Sequence, residues 1–315
     1  MNVLYKRLKY IIKKNIFLFI VYYNIRVYGI YLFNRISNYR IEKIKFYKRL
    51  GYPLNLTNPK SFNEKVVWKK IYDRNPLLPI TADKYAVRSY LKEALGEQRA
   101  KEILIPLLYV TDQPKTIPFD KLPSSFIVKP NHASGRKIIV KDGQFNKQEI
   151  INTCHRWLHT YYGLEKMEWA YRSIKRKIII EKLLLEDRKI PNEFLINMFH
   201  GKIKMVNVVF NGLNDHSLSY FDEKWNYISV MKKNRTKGPI IKKPENYEIM
   251  VEIAEKLSKP FDYVRVDLYN MSGKIYFGEL THYTTSGYTI FEPKSFDHKL
   301  GRYWKAEVGY WEKKY

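Results

Sequence analysis

Two acids and an arginine near the C-terminal end form the clearest chemical pattern in the chain. In Val264-Arg-Val-Asp-Leu268, strand alternation puts Val264, Val266 and Leu268 on one face and Arg265 with Asp267 on the other. In Phe277-Gly-Glu-Leu-Thr281 the same alternation gives Phe277, Glu279 and Thr281 a common face. A short turn around Ser272-Gly273 brings Asp267 and Glu279 close across the hairpin, to within one register step. Like charges placed opposite each other repel, and two carboxylates beside a hydroxyl make an oxygen-rich site suited to Mg²⁺. The same residues also fit a plainer arrangement, with both acids solvated or one of them paired to Arg265.

A second group is Val128-Lys-Pro-Asn-His-Ala-Ser-Gly-Arg136. A lysine at a strand end precedes a small, polar loop whose backbone N–H groups, with the lysine charge, suit a phosphate. An ordinary hairpin turn has the same composition, and the G-x-x-x-x-G-K-[ST] loop of P-loop proteins is absent. The third group, Ile180-Glu-Lys-Leu-Leu184 with Pro191-Asn-Glu-Phe194 after it, is a strand leading into a chain crossing with acids on both sides. Alone it reads as a linker with solvated acids.

The elements that must hold these groups alternate between helix and strand. Ser61 and Glu64 form an S-x-x-E capping box that starts a helix running to about Tyr72. Val87, Leu91, Ala94 and Leu95 recur at helical spacing, and Gly96 stops them. Phe126–Val128 is a short buried strand with Lys137–Lys141 as its hairpin partner, and Ile178–Ile180 is another strand. Phe194–Phe199 and Ile203–Phe210 flank His200-Gly201, while Val264–Tyr269 and Ile275–Leu280 flank Ser272-Gly273. Met250, Ile253, Ala254 and Leu257 mark a helix. This mixed order predicts an α+β protein rather than a parallel sheet.

The chain has 315 residues, and 57 Lys and Arg against 31 Asp and Glu give a net charge of +26. Such a balance implies an anionic partner. A single cysteine, Cys154, excludes an intramolecular disulfide framework and a multi-cysteine zinc site. The first fifty residues hold twelve Lys or Arg and one acid, Glu42. Lys6, Arg7, Lys9, Lys13 and Lys14 precede an apolar run from Ile16 to Phe33 that Asn24 and Arg26 interrupt. A central arginine costs roughly 2.5–3.5 kcal/mol in a spanning helix. The expectation is therefore a helix lying in the interface of an anionic membrane; a helix packed on the protein and a true span are the alternatives.

In this order the three groups resemble the ATP-grasp superfamily, with a spacing similar to D-alanine–D-alanine ligase. The closer similarity is to the teichuronopeptide-biosynthesis-like ATP-grasp proteins of bacterial surface-polysaccharide loci. Asn58-Pro-Lys-Ser-Phe-Asn-Glu-Lys65, Ala82-Asp-Lys-Tyr-Ala-Val-Arg88, Ile127-Val-Lys-Pro-Asn-His-Ala-Ser-Gly135 and Val264 through Gly287 carry it, over roughly residues 50–300. The resemblance implies ATP and Mg²⁺ as cofactors and an α+β ATP-grasp fold, with two lobes enclosing the nucleotide. The expected organisation is a basic, membrane-associated helical region (1–50), a helical subdomain (51–101), a first lobe (102–183) and a second lobe with the metal site (184–315).

By that resemblance Lys129 lies on the α- and β-phosphates, and His132, Ser134 and Gly135 belong to the loop over the phosphates. Glu181, Lys182 and Leu183 match the hinge that meets adenine, Glu193 the acid on the ribose, and Arg265 the arginine that stabilises the tetrahedral intermediate. Asp267 and Glu279 match the Mg²⁺ ligands, with Thr281 where ligases have an amide. Lys84 and Arg88 lie in a motif without an assigned role. Leu195 stands where related sequences carry a lysine.

The implied activity is an ATP-dependent carboxylate–amine ligase that works through an acyl phosphate on a cell-surface polysaccharide or its precursor. Its partners are ATP, a carboxylate donor, an amine acceptor on a glycan or amino acid, and an anionic membrane surface. Its expected location is the cytoplasm, peripheral on the inner face of the cell membrane. A capsule glycosyltransferase would use paired acids too, but no Asp-x-Asp occurs and the Lys129 loop has no task there. A non-catalytic scaffold or nucleic-acid binder would explain the charge, yet no nucleic-acid motif is present, so no nucleic-acid partner is expected.

Overall fold

The computed structural model describes residues 15–211 and 216–314. The basic group Lys6 to Lys14 lies outside the described residues. The chain forms two compact units, each described by itself: the described part of Met1–Glu42 with Pro106–Leu183, and Lys43–Ile105 with Leu184–Tyr315. The helical segment 51–101 thus falls in the same unit as 184–315.

The first unit holds β1 (Leu107–Thr111), β2 (Phe126–Pro130), β3 (Ile138–Val140) and β4 (Ile178–Lys182). They form an antiparallel sheet in the order β1-β4-β2-β3. The helix Lys147–His159 starts at Asn146, whose Oδ1 accepts from Glu149 N. It buries Ile150, Cys154 and Leu158, spaced four apart, in a core with Phe126, Val128, Val140, Ile178 and Ile180. Burial pushes the Cys154 thiol up to about 12, so it serves as a small apolar side chain.

The same unit carries the helix Ile16–Ile36, capped by Asn15, whose Oδ1 accepts from Phe17 N and Leu18 N. Its two polar interruptions turn toward the protein. Asn24 donates to His159 O at 2.8 Å and accepts from Tyr161 N at 3.0 Å, and Arg26 meets Glu165 at 2.7 Å. Val27 and Asn34 are buried on that side. Phe17, Leu18, Val21, Tyr22, Ile25, Leu32, Phe33 and Ile36 are exposed, and Ile36 is 82% accessible. The helix is packed on the protein through its polar interruptions and Val27, and leaves many of its apolar side chains outside.

The second unit is built on β5 (Glu193–Phe199), β6 (Lys202–Asn211), β7 (His216–Phe221), β9 (Tyr263–Met271) and β10 (Lys274–Thr281). Their order is β10-β9-β5-β6-β7, again antiparallel throughout. β8 (Met231–Lys232) pairs separately with β11 (Phe291–Glu292). The helix Tyr247–Ser258 buries Met250, Ile253, Ala254 and Leu257, and packs against β9, β5 and β6. The α+β class and the hairpins at His200-Gly201 and Ser272-Gly273 are as expected.

The Asn58–Lys65 motif has a structural task. Ser61 and Glu64 make the reciprocal capping box of helix Phe62–Tyr72. Asn63 donates from its side chain to Thr289 O and from N to Asp297 Oδ1, tying the helix start to the C-terminal segment. Gly301 passes so close that a Cβ there would meet the Lys60 carbonyl, leaving room only for glycine. Farther along, Lys69 is wholly buried with its Nζ 2.5 Å from both Asp73 and Asp262.

Candidate functional site

In the second unit the strand alternation of β9 delivers Arg265 and Asp267 to the face away from the helix Tyr247–Ser258, because Val264, Val266 and Leu268 fill the core. Glu279 pairs in register with Asp267, and Thr281 with Arg265. One expectation needs correction. Phe277 does not share the face of Glu279: it pairs with Leu268, and Gly278 is an extra residue that shifts the register between them. The bulge turns Phe277 into the core, where it is buried, and re-aims Glu279 at Asp267.

The side chains converge. Arg265 grips Asp267 in a two-pronged contact, Nε to Oδ1 at 2.6 Å and Nη2 to Oδ2 at 2.5 Å. Arg265 also donates to Thr281 Oγ1 at 3.1 Å, and that hydroxyl lies 3.2 Å from Glu279 Oε1 and 3.3 Å from Asp267 Oδ2. Lys84 Nζ stands 3.0 Å from Glu279 Oε2. Burial pushes Asp267 up to about 6, and the two-pronged contact with Arg265 pulls the other way, favouring its charged form. Two anions thus face two cations, with a hydroxyl between the anions.

Among the described residues no group of three or more His, Cys, Asp or Glu forms a self-contained metal centre. The donors at hand are the hard oxygens of Asp267, Glu279 and Thr281, a set that fits Mg²⁺ and not a softer ion. They could hold it only if Arg265 or Lys84 gives up part of its present contact.

Neighbouring strands complete this face. Leu195 pairs with Asp267 and is 8% exposed, so β5 brings an apolar side chain to the metal candidates. Glu193 pairs with Tyr269 and accepts a hydrogen bond from its hydroxyl; burial and this carboxylate raise the tyrosine well above its ordinary value. Lys232 donates to Thr285 Oγ1 at 3.0 Å. Burial, then the charges of Arg265, Arg235 and Arg49, push its ammonium down to about 8. Lys84, Lys232 and Arg235 are therefore functional candidates beside those read from the motifs. Lys84 was legible as part of Ala82–Arg88, whereas no spacing rule points to Lys232 or Arg235.

The other candidates belong to the first unit. Lys129 on β2 and Glu181 on β4 lie diagonally on one face and meet at 3.0 Å. Asn131 anchors the following loop through Lys175 O and Lys177 N. The His132 ring is buried between Asn131 Oδ1 and Trp157 O, at 3.2 and 3.1 Å. Ser134 and Gly135 form the exposed tip. Lys182 is exposed and its N–H bonds Pro106 O, while Leu183 is buried. Lys129 and Glu181 are brought into contact; His132 is directed into the unit.

The ordered motifs match the family model of the TupA-like ATP-grasp proteins over residues 64–305, more than half of the chain. The chain belongs to the TupA-like ATP-grasp family. The expected family and fold are thereby borne out. Among solved structures the chain is similar to D-alanine–D-alanine ligase from Bacillus anthracis, at 20% identity over 64% of this chain and 57% of that one, with a TM-score of 0.40. For D-alanine–D-alanine ligase from Helicobacter pylori the values are 14%, 77%, 67% and 0.42. For L-amino acid ligase from Bacillus licheniformis they are 13%, 64%, 40% and 0.37. The match to the Bacillus anthracis ligase thus spans little more than half of that enzyme's length. No curated protein matches the chain.

Proposed function

We propose that the protein is an ATP-dependent carboxylate–amine ligase. The observation that carries this reading is the convergence of Arg265, Asp267, Glu279 and Thr281 on one sheet face in a chain of the ATP-grasp family. A substrate carboxylate oxygen attacks the γ-phosphorus of ATP, and ADP leaves. The resulting acyl phosphate is attacked at carbon by an amine, phosphate departs, the amine loses a proton, and an amide remains. Asp267, Glu279 and Thr281 are the residues that would hold Mg²⁺, which when bound would supply positive charge against the phosphates. Lys129 supplies a positive charge to the phosphates, and the backbone of Ser134 and Gly135 offers N–H donors. Glu181, Lys182 and Leu183 meet adenine and Glu193 the ribose. Arg265 holds the oxyanion of the tetrahedral intermediate.

The substrate is a cell-surface polysaccharide or its lipid-linked precursor, with a uronic acid or amino acid as donor and an amino sugar or amino acid as acceptor. Location follows the same reading: cytoplasmic, on the inner face of the membrane. In its support, the helix Ile16–Ile36 exposes an apolar side next to a segment rich in lysine and arginine. The helix is long and apolar enough to cross a bilayer. Yet Asn24 and Arg26 bond to the rest of the first unit, which favours a helix lying on the surface.

The test is product analysis of the full chain with ATP, Mg²⁺ and a panel of uronic acids, amino acids and amino sugars. Equimolar ADP, phosphate and amide are expected with the right pair. Sugar transfer from a nucleotide sugar, with no ATP consumed under any pairing, would overturn the reading in favour of a glycosyltransferase.

A further inference from the structure

In the first unit, the segment 160–176 joins the helix Lys147–His159 to β4. Together with the helix Ile16–Ile36 it encloses a cavity of about 380 Å³, lined among others by Tyr28, Tyr161, Tyr162, Trp169, Arg172 and Arg176. Its size is that of a small-ligand site, roughly 300–1,000 Å³. His132, from the loop after β2, also lines it, whereas Glu181, Lys129 and the Asp267 group do not.

Among the described residues three arginines at or beside it have no carboxylate partner. Arg176 lies over the Tyr161 ring at 4.6 Å and donates to Leu158 O at 2.8 Å. Arg136 lies over Tyr162 at 5.4 Å and donates to Thr160 Oγ1 at 3.1 Å. Arg172 lies over Tyr31 at 4.6 Å. Among the described residues no carboxylate forms an ion pair with any of the three. The acids of the segment are withdrawn: Glu165 is taken by Arg26, and Glu168 is buried and does not line the cavity. Burial and the nearby Arg136 charge lower the Arg176 pKa, as expected for like charges gathered without an anion.

We propose that this cavity binds a sugar phosphate. Guanidinium forks match phosphate oxygens in paired hydrogen bonds. The Tyr and Trp rings offer flat, partly apolar faces with polar edges, which suit the mixed surface of a sugar ring. Neither inorganic phosphate nor a neutral sugar uses both halves. The ligand is a free sugar phosphate or the head of a membrane lipid. The second source rests on the surface-bound position proposed above; the cavity itself does not depend on the ligase reading.

Calorimetry on the full chain compares glucose 1-phosphate, glucose and inorganic phosphate, with and without saturating Mg-ATP. The sugar phosphate should bind at least roughly tenfold tighter than either fragment, and ATP should not displace it. Arg172→Gln, at an exposed position, should weaken that binding about tenfold without moving the thermal midpoint; Tyr161→Ala should do the same. Equal affinity for phosphate and sugar phosphate, displacement by ATP, or unchanged binding in both variants would overturn the proposal. Flotation on phosphatidylinositol against phosphatidylglycerol vesicles separates the sources. Loss on the first alone in Arg172→Gln identifies a lipid head, and equal flotation with weakened calorimetric binding identifies the soluble ligand. No arm reads ATP turnover, so failure of the ligase reading leaves each result intact.

Discussion

Glu279 stands opposite Asp267 because Gly278 is an extra residue in its strand. A Cβ on Gly278 would lie 3.0 Å from the Asp267 carbonyl oxygen and 3.3 Å from the Tyr269 ring. Gly278→Ala should therefore strain the bulge, at roughly 1–3 kcal/mol. Thermal melts and ATP consumption should fall together. Unchanged activity would show that the pairing of the two acids is not needed.

Asp267→Asn and Glu279→Gln should both raise the Mg²⁺ needed for half-maximal ATP consumption, yet differ in stability. Asp267 is buried against Arg265, so its neutral variant leaves a guanidinium unpaired and should lose about 3–5 kcal/mol. Glu279 is partly exposed beside Lys84, and Glu279→Gln should melt near the parent. Pairing Arg265→Met with Asp267→Asn should recover stability without recovering turnover. A magnesium titration identical to the parent in both single variants would end the metal assignment.

Lys129→Ala should weaken ATP binding and also cost about 1 kcal/mol, since it deprives the buried Glu181 of its ion pair. Adding Glu181→Gln should return the stability and not the affinity. Calorimetric ATP affinity equal to the parent would reduce Lys129 to a structural ion pair.

Lys232 sets a pH dependence. Its folded pKa, about 8, lies below the ordinary 10.5, so the unfolded chain binds more protons between those values. This group therefore adds stability as pH rises from about 8 to 10.5 and withdraws it as pH falls through about 8. Lys232→Met should flatten that part of the profile relative to the parent. Parallel melts across this range check it; superimposable slopes would contradict the burial of the charge.

Phe17→Ser, Ile25→Ser and Ile36→Ser together should reduce flotation on anionic vesicles while leaving the melt unchanged, because all three side chains are exposed. High salt should weaken binding of the parent. Equal flotation of parent and variant would remove the helix from the membrane contact.

The amino-acid sequence by itself determined several elements and their order, though not β1, β7 or the helix Lys147–His159. Alternation in Val264–Leu268, the glycine turns at Gly201 and Gly273, and the Ser61–Glu64 box are local signals, and the structure carries each of them. Motif order was enough for the family. Tertiary structure decided what those residues meet. Strict alternation could not reveal the Gly278 bulge, because the extra residue is set by how Phe277 packs against the core and not by its neighbours in the chain. Arg265 could have faced solvent; burial of Asp267 makes their pairing the means of keeping that charge inside. Asn24 and Arg26 read as flaws in an apolar run until His159, Tyr161 and Glu165 supplied their partners, more than a hundred residues away. Local propensities act over a few residues, whereas the choice of partner for a charge or a polar side chain is made only when distant segments pack.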